Sequence, residues 1–270
     1  MEKLIITVAP TGNVPVKAMT PHVPVAPEEI AGDIVACYGE GASVCHIHAR
    51  DDAGKPTHQE KHFAAIMERL TASGCPVIRQ LSTGARAGKS AEERAEALAL
   101  RPVSASLATG SSNFPTAVNA NDPALVRFLA DRMLALGIKP EIEVFDAAMI
   151  QNALDLKKEG LLKDPLVFNL VLGVKGSLPS TAKNLFYLVE SLPEGAVWSV
   201  SIIGPPHVPL STVAIALGGH VRAGLEDNIY YSRGVLATNQ ELIRRIAAIA
   251  GAMGREIAAP EDVRRIWGID

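Results

Sequence analysis

Two histidines, His46 and His48, lie two residues apart in the apolar run SVCHIHARD at residues 43–51. In a β-strand, residues i and i+2 face the same side, so both imidazoles converge on one point. Two neutral imidazoles meeting in a dry space suit a divalent metal. The plainer alternative is one core histidine and one surface histidine. A metal-binding pair wants a third ligand, because catalytic zinc takes three protein ligands and keeps a fourth position open. Glu226, in the run RAGLEDN at 222–228, is the candidate. Its plain reading is an exposed acid opening a helix, and the clustering of Arg222 and Asp227 around it argues against that.

A second group carries acid–base potential. Glu143 alternates with Ile142 and Val144 in the run EIEVF at 141–145. If those two pack outward, Glu143 points inward and needs a partner. Arg222 is the obvious one, and the pair reads either as a general base within an arginine–carboxylate network or as a structural ion pair. Ser82-Thr83-Gly84 is a turn whose backbone amides could also bind a substrate carboxylate. Thr11, Gly12, Asn13, Ser106, Thr109, Asn113 and Gly204 add polar or turn-forming residues at other expected strand ends. The run GARAGKS at 84–90 resembles a phosphate-binding Walker loop, but three residues separate Gly84 from Gly88 where that loop needs four. His58, His62 and His220 have no matching partners and read as core, surface or strand-start residues. His22 and His207 fall in loops on the expected active face and are weaker candidates.

Composition bounds what can position these residues. With 270 residues, 48% of them hydrophobic, the chain can bury a sizeable core. A formal charge of −3, with no basic block, argues against a nucleic-acid or membrane surface. The three cysteines, Cys37, Cys45 and Cys75, are odd in number and form no CxxC, so a disulfide framework is not expected. MEKLIITVAP lacks signal-peptide architecture, and no run approaches the ~20 apolar residues of a membrane span. The expectation is a soluble, cytoplasmic protein.

Short apolar runs alternate with helical patterns along the chain. Strands are expected at 4–9, 43–48, 76–81, 103–107, 141–145, 166–172, 197–203 and 220–223. Helices are expected at about 27–39, 59–72, 91–100, from 123 onward, 147–158, 181–191 and 210–217. Pro27 and Pro123 suit first helical positions, Pro123 behind an Asn121-Asp122 cap. Thr238 and Glu241 make a capping box for a last long helix ending near 251, and 260–267 reads as one further helix. Eight strand–helix repeats imply a parallel sheet closed into a (β/α)8 TIM barrel, one domain over 1–270 with an extra C-terminal helix. An open doubly wound sheet calls for a Gly-rich fingerprint after the first strand, and PTGNVP is not one. Barrel sites lie at the C-terminal strand ends, where the residues singled out above fall.

TG at 11–12, HIHAR at 46–50, STG at 82–84, EIEVF at 141–145, VLGV at 171–174 and GGHVRAGLEDNIYY at 218–231 together resemble the β-keto acid cleavage enzymes, essentially end to end. The resemblance implies a (β/α)8 barrel with one zinc per subunit, held by His46, His48 and Glu226. It implies a Claisen-type exchange in which a β-keto acid and acetyl-CoA give acetoacetate and a new acyl-CoA. On the same ground Ser82 and Ser106 help bind the substrate's carboxylate or keto group. Glu143, Arg222 and Asp227 form the network that removes the α-proton, with Asp227 the expected base. A homotetramer is implied by resemblance alone, and the loops at 173–177 and 204–207 are the expected CoA region. Two departures from the family's 3-keto-5-aminohexanoate enzyme bear on substrate. Val14 stands where that enzyme has an acid for the substrate's amine, and Ala108 stands where it has an asparagine. The expected substrate is therefore a different β-keto acid, with an apolar or neutral tail. Competing readings are a metal-dependent hydrolase or aldolase of the amidohydrolase kind and a non-catalytic barrel that binds a small molecule. Amidohydrolases typically carry HxH on the first strand, with further histidines and an aspartate on strand eight.

Overall fold

Apolar runs bounded by proline and glycine become the strands of a closed parallel barrel. In the computed structural model, which describes residues 2–85 and 89–269, these are β1 (Ile6–Val8), β2 (Val44–Ile47), β3 (Ile78–Leu81), β4 (Ser104–Ala108), β5 (Lys139–Val144), β6 (Val167–Leu172), β7 (Val197–Ile202) and β8 (His220–Ala223). Each pairs with its neighbours in sequence, and β8 closes on β1. The outer layer comprises α1 (Pro27–Gly39), α2 (Glu60–Ala72), α3 (Ala91–Ala95), α4 (Pro123–Leu136), α5 (Ala148–Lys158), α6 (Ala182–Glu190), α7 (His207–Ala216) and α8 (Asn239–Ala252). A last helix, α9 (Pro260–Trp267), follows. This is the (β/α)8 barrel that the alternation implies. No described helix is long and apolar enough to cross a membrane. Arg86, Ala87 and Gly88, in the middle of the Walker-like run, lie outside the described residues.

Strand residues alternate between two environments. Cys45, Ile47, Ile142, Val144, Phe168, Leu170 and Val221 face outward into one apolar layer with Ile34, Phe63, Leu129 and Leu185 of the helices. The intervening residues face the barrel axis. At its N-terminal end Ile5, Val44, Ile78 and Val167 meet Val263, Ile266 and Trp267 of α9 in a second apolar cluster. Above this plug the inward positions turn polar, with His46, Gln80, Ser104, Glu141, Glu143, Asn169, Ser201 and Arg222 all buried. Buried polar groups need partners, and several of these bond to residues of the neighbouring strand: Ser201 Oγ donates to Asn169 Oδ1 at 2.8 Å, and Gln80 Nε2 donates to Ser104 Oγ at 3.3 Å.

Some element boundaries differ from expectation for local reasons. The helix expected over 91–100 is α3 followed by a 3₁₀ segment, Glu96–Leu100, which ends at left-handed Arg101 (φ 48°). Pro102 then forbids continuation. Helix α7 starts at His207, earlier than the expected 210, because Pro209 falls in its first turn, where a missing N–H costs nothing. Three small hairpins join Ala49–Arg50 to Pro56–Thr57, Ser112–Asn113 to Val118–Asn119, and Tyr230–Ser232 to Val235–Leu236. Their strands are too short for hydrophobic alternation to register.

Candidate active site

Strand β2 carries His46 inward, and His48 follows just past its end. His46 stands opposite Gln80 of β3 in register, and its Nδ1 bonds Gln80 Oε1 at 2.5 Å. Because the amide oxygen only accepts, Nδ1 carries the hydrogen and Nε2 presents its lone pair. Burial first, then the nearby Arg222, pushes the imidazole down to about 3, so it is neutral. His46 Nε2 lies 3.3 Å from His48 Nε2. His48 Nε2 is 3.3 Å from Glu226 Oε1, and His46 Nε2 is 3.9 Å from the same oxygen. Ligands at 2.0–2.2 Å from a tetrahedral zinc are themselves roughly 3.3 Å apart, which is close to this spacing. Glu226 Oε2 is buried without a partner among the described residues, an acceptor that a cation would satisfy. The donor set of two imidazoles and a carboxylate suits zinc. Among the described residues, no other group of His, Cys, Asp or Glu converges in this way.

Glu226 reaches the pair because the ends of β8 and β1 are packed backbone to backbone. Glu226 N donates to Ala9 O at 3.1 Å. Gly224 touches Ala9 so closely that any Cβ would collide with its carbonyl, and a Cβ on Gly12 would lie 2.5 Å from Glu226 Cγ. Asn239, the first residue of α8, fastens the same junction. Its Oδ1 accepts from Leu225 N at 2.7 Å, and its Nδ2 donates to Pro10 O at 3.1 Å and to Asp33 Oδ2 at 2.5 Å.

Arg222 of β8 joins the acids. Its Nε and Nη2 each donate to Asp227 at 2.9 Å, Nη2 also donates to Glu226 Oε1 at 2.6 Å, and Nη1 stands 3.6 Å from Glu143 Oε1. Burial opposes the guanidinium charge, but the three carboxylates outweigh it and hold the group above its usual value. Burial likewise pushes Glu226 up, and Arg222 foremost overcomes it, holding the carboxyl well below the usual carboxylate range. For Asp227 and Glu143 burial wins: Asp227 is raised, and Glu143 is pushed up to about 7. Among the described residues Arg222 is the one cation paired with these three acids, which leaves a deficit of positive charge beside the histidines.

A cavity of about 1070 Å³ opens above these groups, lined by His48, Ser82, Gly84, Glu143, Arg222, Glu226, Asp227 and Val14. Thr83 and Ser106 stand behind it. Ser106 Oγ accepts from Thr83 N at 3.2 Å, and Thr83 Oγ1 donates to Ser106 O at 2.7 Å. Ser82 Oγ accepts from Gly84 N at 3.2 Å and keeps its own hydrogen free to donate. His207 also lines the cavity, whereas His22 is exposed away from it. His58, His62 and His220 are all buried rather than superficial, His220 accepting the Ile5 amide at 3.0 Å. Gln80 and Asn239 went unmarked in the sequence, although an inward register beside Ile78 was a usable signal for Gln80. Arg50, the last residue of HIHAR, has a positioning role that its place in the motif does not reveal. Its guanidinium donates to Gly12 O at 2.7 Å and Pro15 O at 2.9 Å, holding the loop that carries Val14.

The sequence profile described as beta-keto acid cleavage enzyme matches residues 3–269. The chain belongs to this family. It is 40% identical over 271 residues to the 3-keto-5-aminohexanoate cleavage enzyme of Fusobacterium nucleatum, covering 100% of this chain and 99% of that one. It is 38% identical over 269 residues to the 3-oxoadipate:acetyl-CoA acetyltransferase of Cupriavidus necator, covering 98% of this chain and 94% of that one. Among solved structures, that of apo ObcA superposes with a TM-score of 0.78 at 23% identity. The superposition covers 93% of this chain and 66% of the longer ObcA chain, a likeness of fold. The family and enzyme class that the motifs suggested are thereby established.

Proposed function

We propose that this member of the family is a zinc-dependent β-keto acid:acetyl-CoA acyltransferase acting on an acid other than 3-keto-5-aminohexanoate. One observation carries the reading. Three ligand atoms spaced for tetrahedral zinc stand beneath a cavity whose wall holds an arginine braced by three carboxylates. His46, His48 and Glu226 would hold the ion, and zinc there supplies a Lewis acid toward the β-keto oxygen that makes the α-hydrogen more acidic. Asp227 takes the α-proton, its carboxylate aimed by two bonds from Arg222, with Glu143 on the far side of the guanidinium. The carbanion at C2 attacks the acetyl carbonyl of acetyl-CoA; a C–C bond forms, the C–S bond breaks and CoA thiolate leaves. The thiolate attacks the original keto carbon, the old C2–C3 bond breaks, and C2 regains the proton. The products are acetoacetate and a new acyl-CoA, with no net oxidation. Ser82 and the turn at Gly84 meet the substrate carboxylate, and Thr83 and Ser106 hold that turn in place.

The Cupriavidus relative's named reaction supports acetyl-CoA as co-substrate. Val14, at the cavity wall with Pro15 and Met19, offers no charge to an amine, and this supports a neutral tail. The three cysteines are buried and unpaired, which suits a reducing, cytoplasmic setting. A single domain over 1–270 and assembly as a homotetramer complete the proposal. The test is a panel of β-keto acids with acetyl-CoA, following acyl-CoA products by mass. The expected result is activity lost on chelation and restored by zinc, with a neutral-tailed acid outpacing 3-keto-5-aminohexanoate. Consumption of the acid without acetyl-CoA would favour a hydrolase or aldolase, and equal turnover of the aminohexanoate would refute the substrate assignment.

A further inference from the structure

The acid-lined floor accounts for only part of the cavity. At about 1070 Å³ it reaches the upper end of the roughly 300–1,000 Å³ that drug-sized ligands occupy, more than a short keto acid fills. One side is apolar, built by Val171 near the end of β6, Val174 just after it, Ile203 and Val208 around the β7 loop, and Ile229 after β8. Lysine and arginine contribute three cavity-lining cations among the described residues: Arg222, Lys175 and Arg233. Arg222 is spent on its carboxylates. Lys175, in the loop after β6, and Arg233, in the hairpin after β8, are exposed and have no acid partner among the described residues. Strand β7 is the one strand between β6 and β8. The two cations therefore flank its loop, from which α7 begins with His207 and Val208 on the cavity wall.

The hairpin that carries Arg233 is anchored by its neighbours. Ser232 pairs with Val235, leaving Arg233 and Gly234 as a two-residue turn, with Gly234 at φ +78°. The strand below is clamped to α8. Arg245 donates to Tyr231 O at 2.7 Å and lies 3.2 Å over the Tyr231 ring, and Asn228 donates to Tyr230 O at 2.6 Å. An anchored hairpin thus presents a guanidinium with no competing carboxylate among the described residues. The cavity has catalytic groups at its floor, an apolar wall and cations at its rim. It suits a ligand with a reactive group at one end and anionic charge at the other.

We infer that Arg233 and Lys175 bind phosphate groups of the thioester co-substrate, with the apolar wall taking its pantetheine arm. The inference rests on the acetyl-CoA reading above and adds a phosphate site to it. Loops after strands seven and eight recurrently hold phosphate in (β/α)8 barrels, guanidinium matches phosphate at two points, and the N-terminus of α7 adds its dipole. Calorimetric titration with adenosine 3′,5′-bisphosphate, which has phosphates and no thioester, reads the site without turnover. The wild-type chain is expected to bind it, and the Lys175→Ala/Arg233→Ala double variant to bind roughly tenfold more weakly. Arg233→Lys should recover part of the loss. The kcat/KM preference for acetyl-CoA over S-acetylpantetheine should fall by about the same factor in the double variant. Equal nucleotide affinity with an unchanged preference would overturn the site. Nucleotide binding through Arg233 in a chain that turns over no β-keto acid would uphold the site and sink the catalytic reading.

Discussion

Gly12 has no room for a side chain, and that absence of room sets the position of Glu226. A Cβ there would lie 2.5 Å from Glu226 Cγ, on backbone already at φ +62°. Gly12→Ala is expected to push the carboxylate off the imidazoles and weaken zinc binding about 10–100-fold, the range seen when groups supporting a metal ligand are lost. Competition against a chromophoric chelator reads this, and unchanged affinity would count against Glu226 as a ligand. The histidines were legible because two-residue spacing on a strand fixes a shared face before anything else is known. Glu143 was legible for a related reason, since Ile142 and Val144 do pack outward. Gln80 was not, because a strand glutamine has many uses and only its register with His46 reveals this one.

Helix α8 opens with two devices side by side, and only one had a sequence signature. The Thr238–Glu241 capping box is a known spacing, and Glu241 N donates to Thr238 Oγ1 at 3.2 Å as expected. The next residue, Asn239, ties α8 to both strand ends and to Asp33 of α1, contacts that join residues far apart in the chain. Burial pushes Asp33 up to about 6 from an ordinary 3.8, and bonds from Asn239 and Gln240 offset it only in part. Between these two values the folded chain binds the Asp33 proton more tightly than the unfolded chain does. Stability from this group therefore rises as pH falls from 6 towards 4, by up to about 3 kcal/mol. Asp33→Asn should flatten that part of the urea-unfolding profile. Identical slopes for the wild type and the variant over this range would contradict the assignment. Main strands and long helices were legible from period and punctuation; the 3₁₀ segment and the hairpins depend on single turns that carry no period.

Across the whole molecule the barrel divides into an apolar N-terminal end that holds it together and a polar C-terminal end that does chemistry. Sequence period marked α9 as a helix, but its job as the plug under Ile5, Val44, Ile78 and Val167 appears only once the barrel is closed. Trp267→Ala should cost about 3–5 kcal/mol of stability while leaving the kcat of the folded enzyme unchanged. Denaturant midpoints and assays on the folded fraction test both halves, and a large fall in kcat would mean the two ends are coupled. The acyl exchange at the polar end is followed best with acetyl-CoA carrying ¹³C in both acetyl carbons. Label is expected in C3 and C4 of acetoacetate, with an unlabelled acyl group on the new CoA thioester. Label that stays on CoA while the β-keto acid disappears would contradict the exchange.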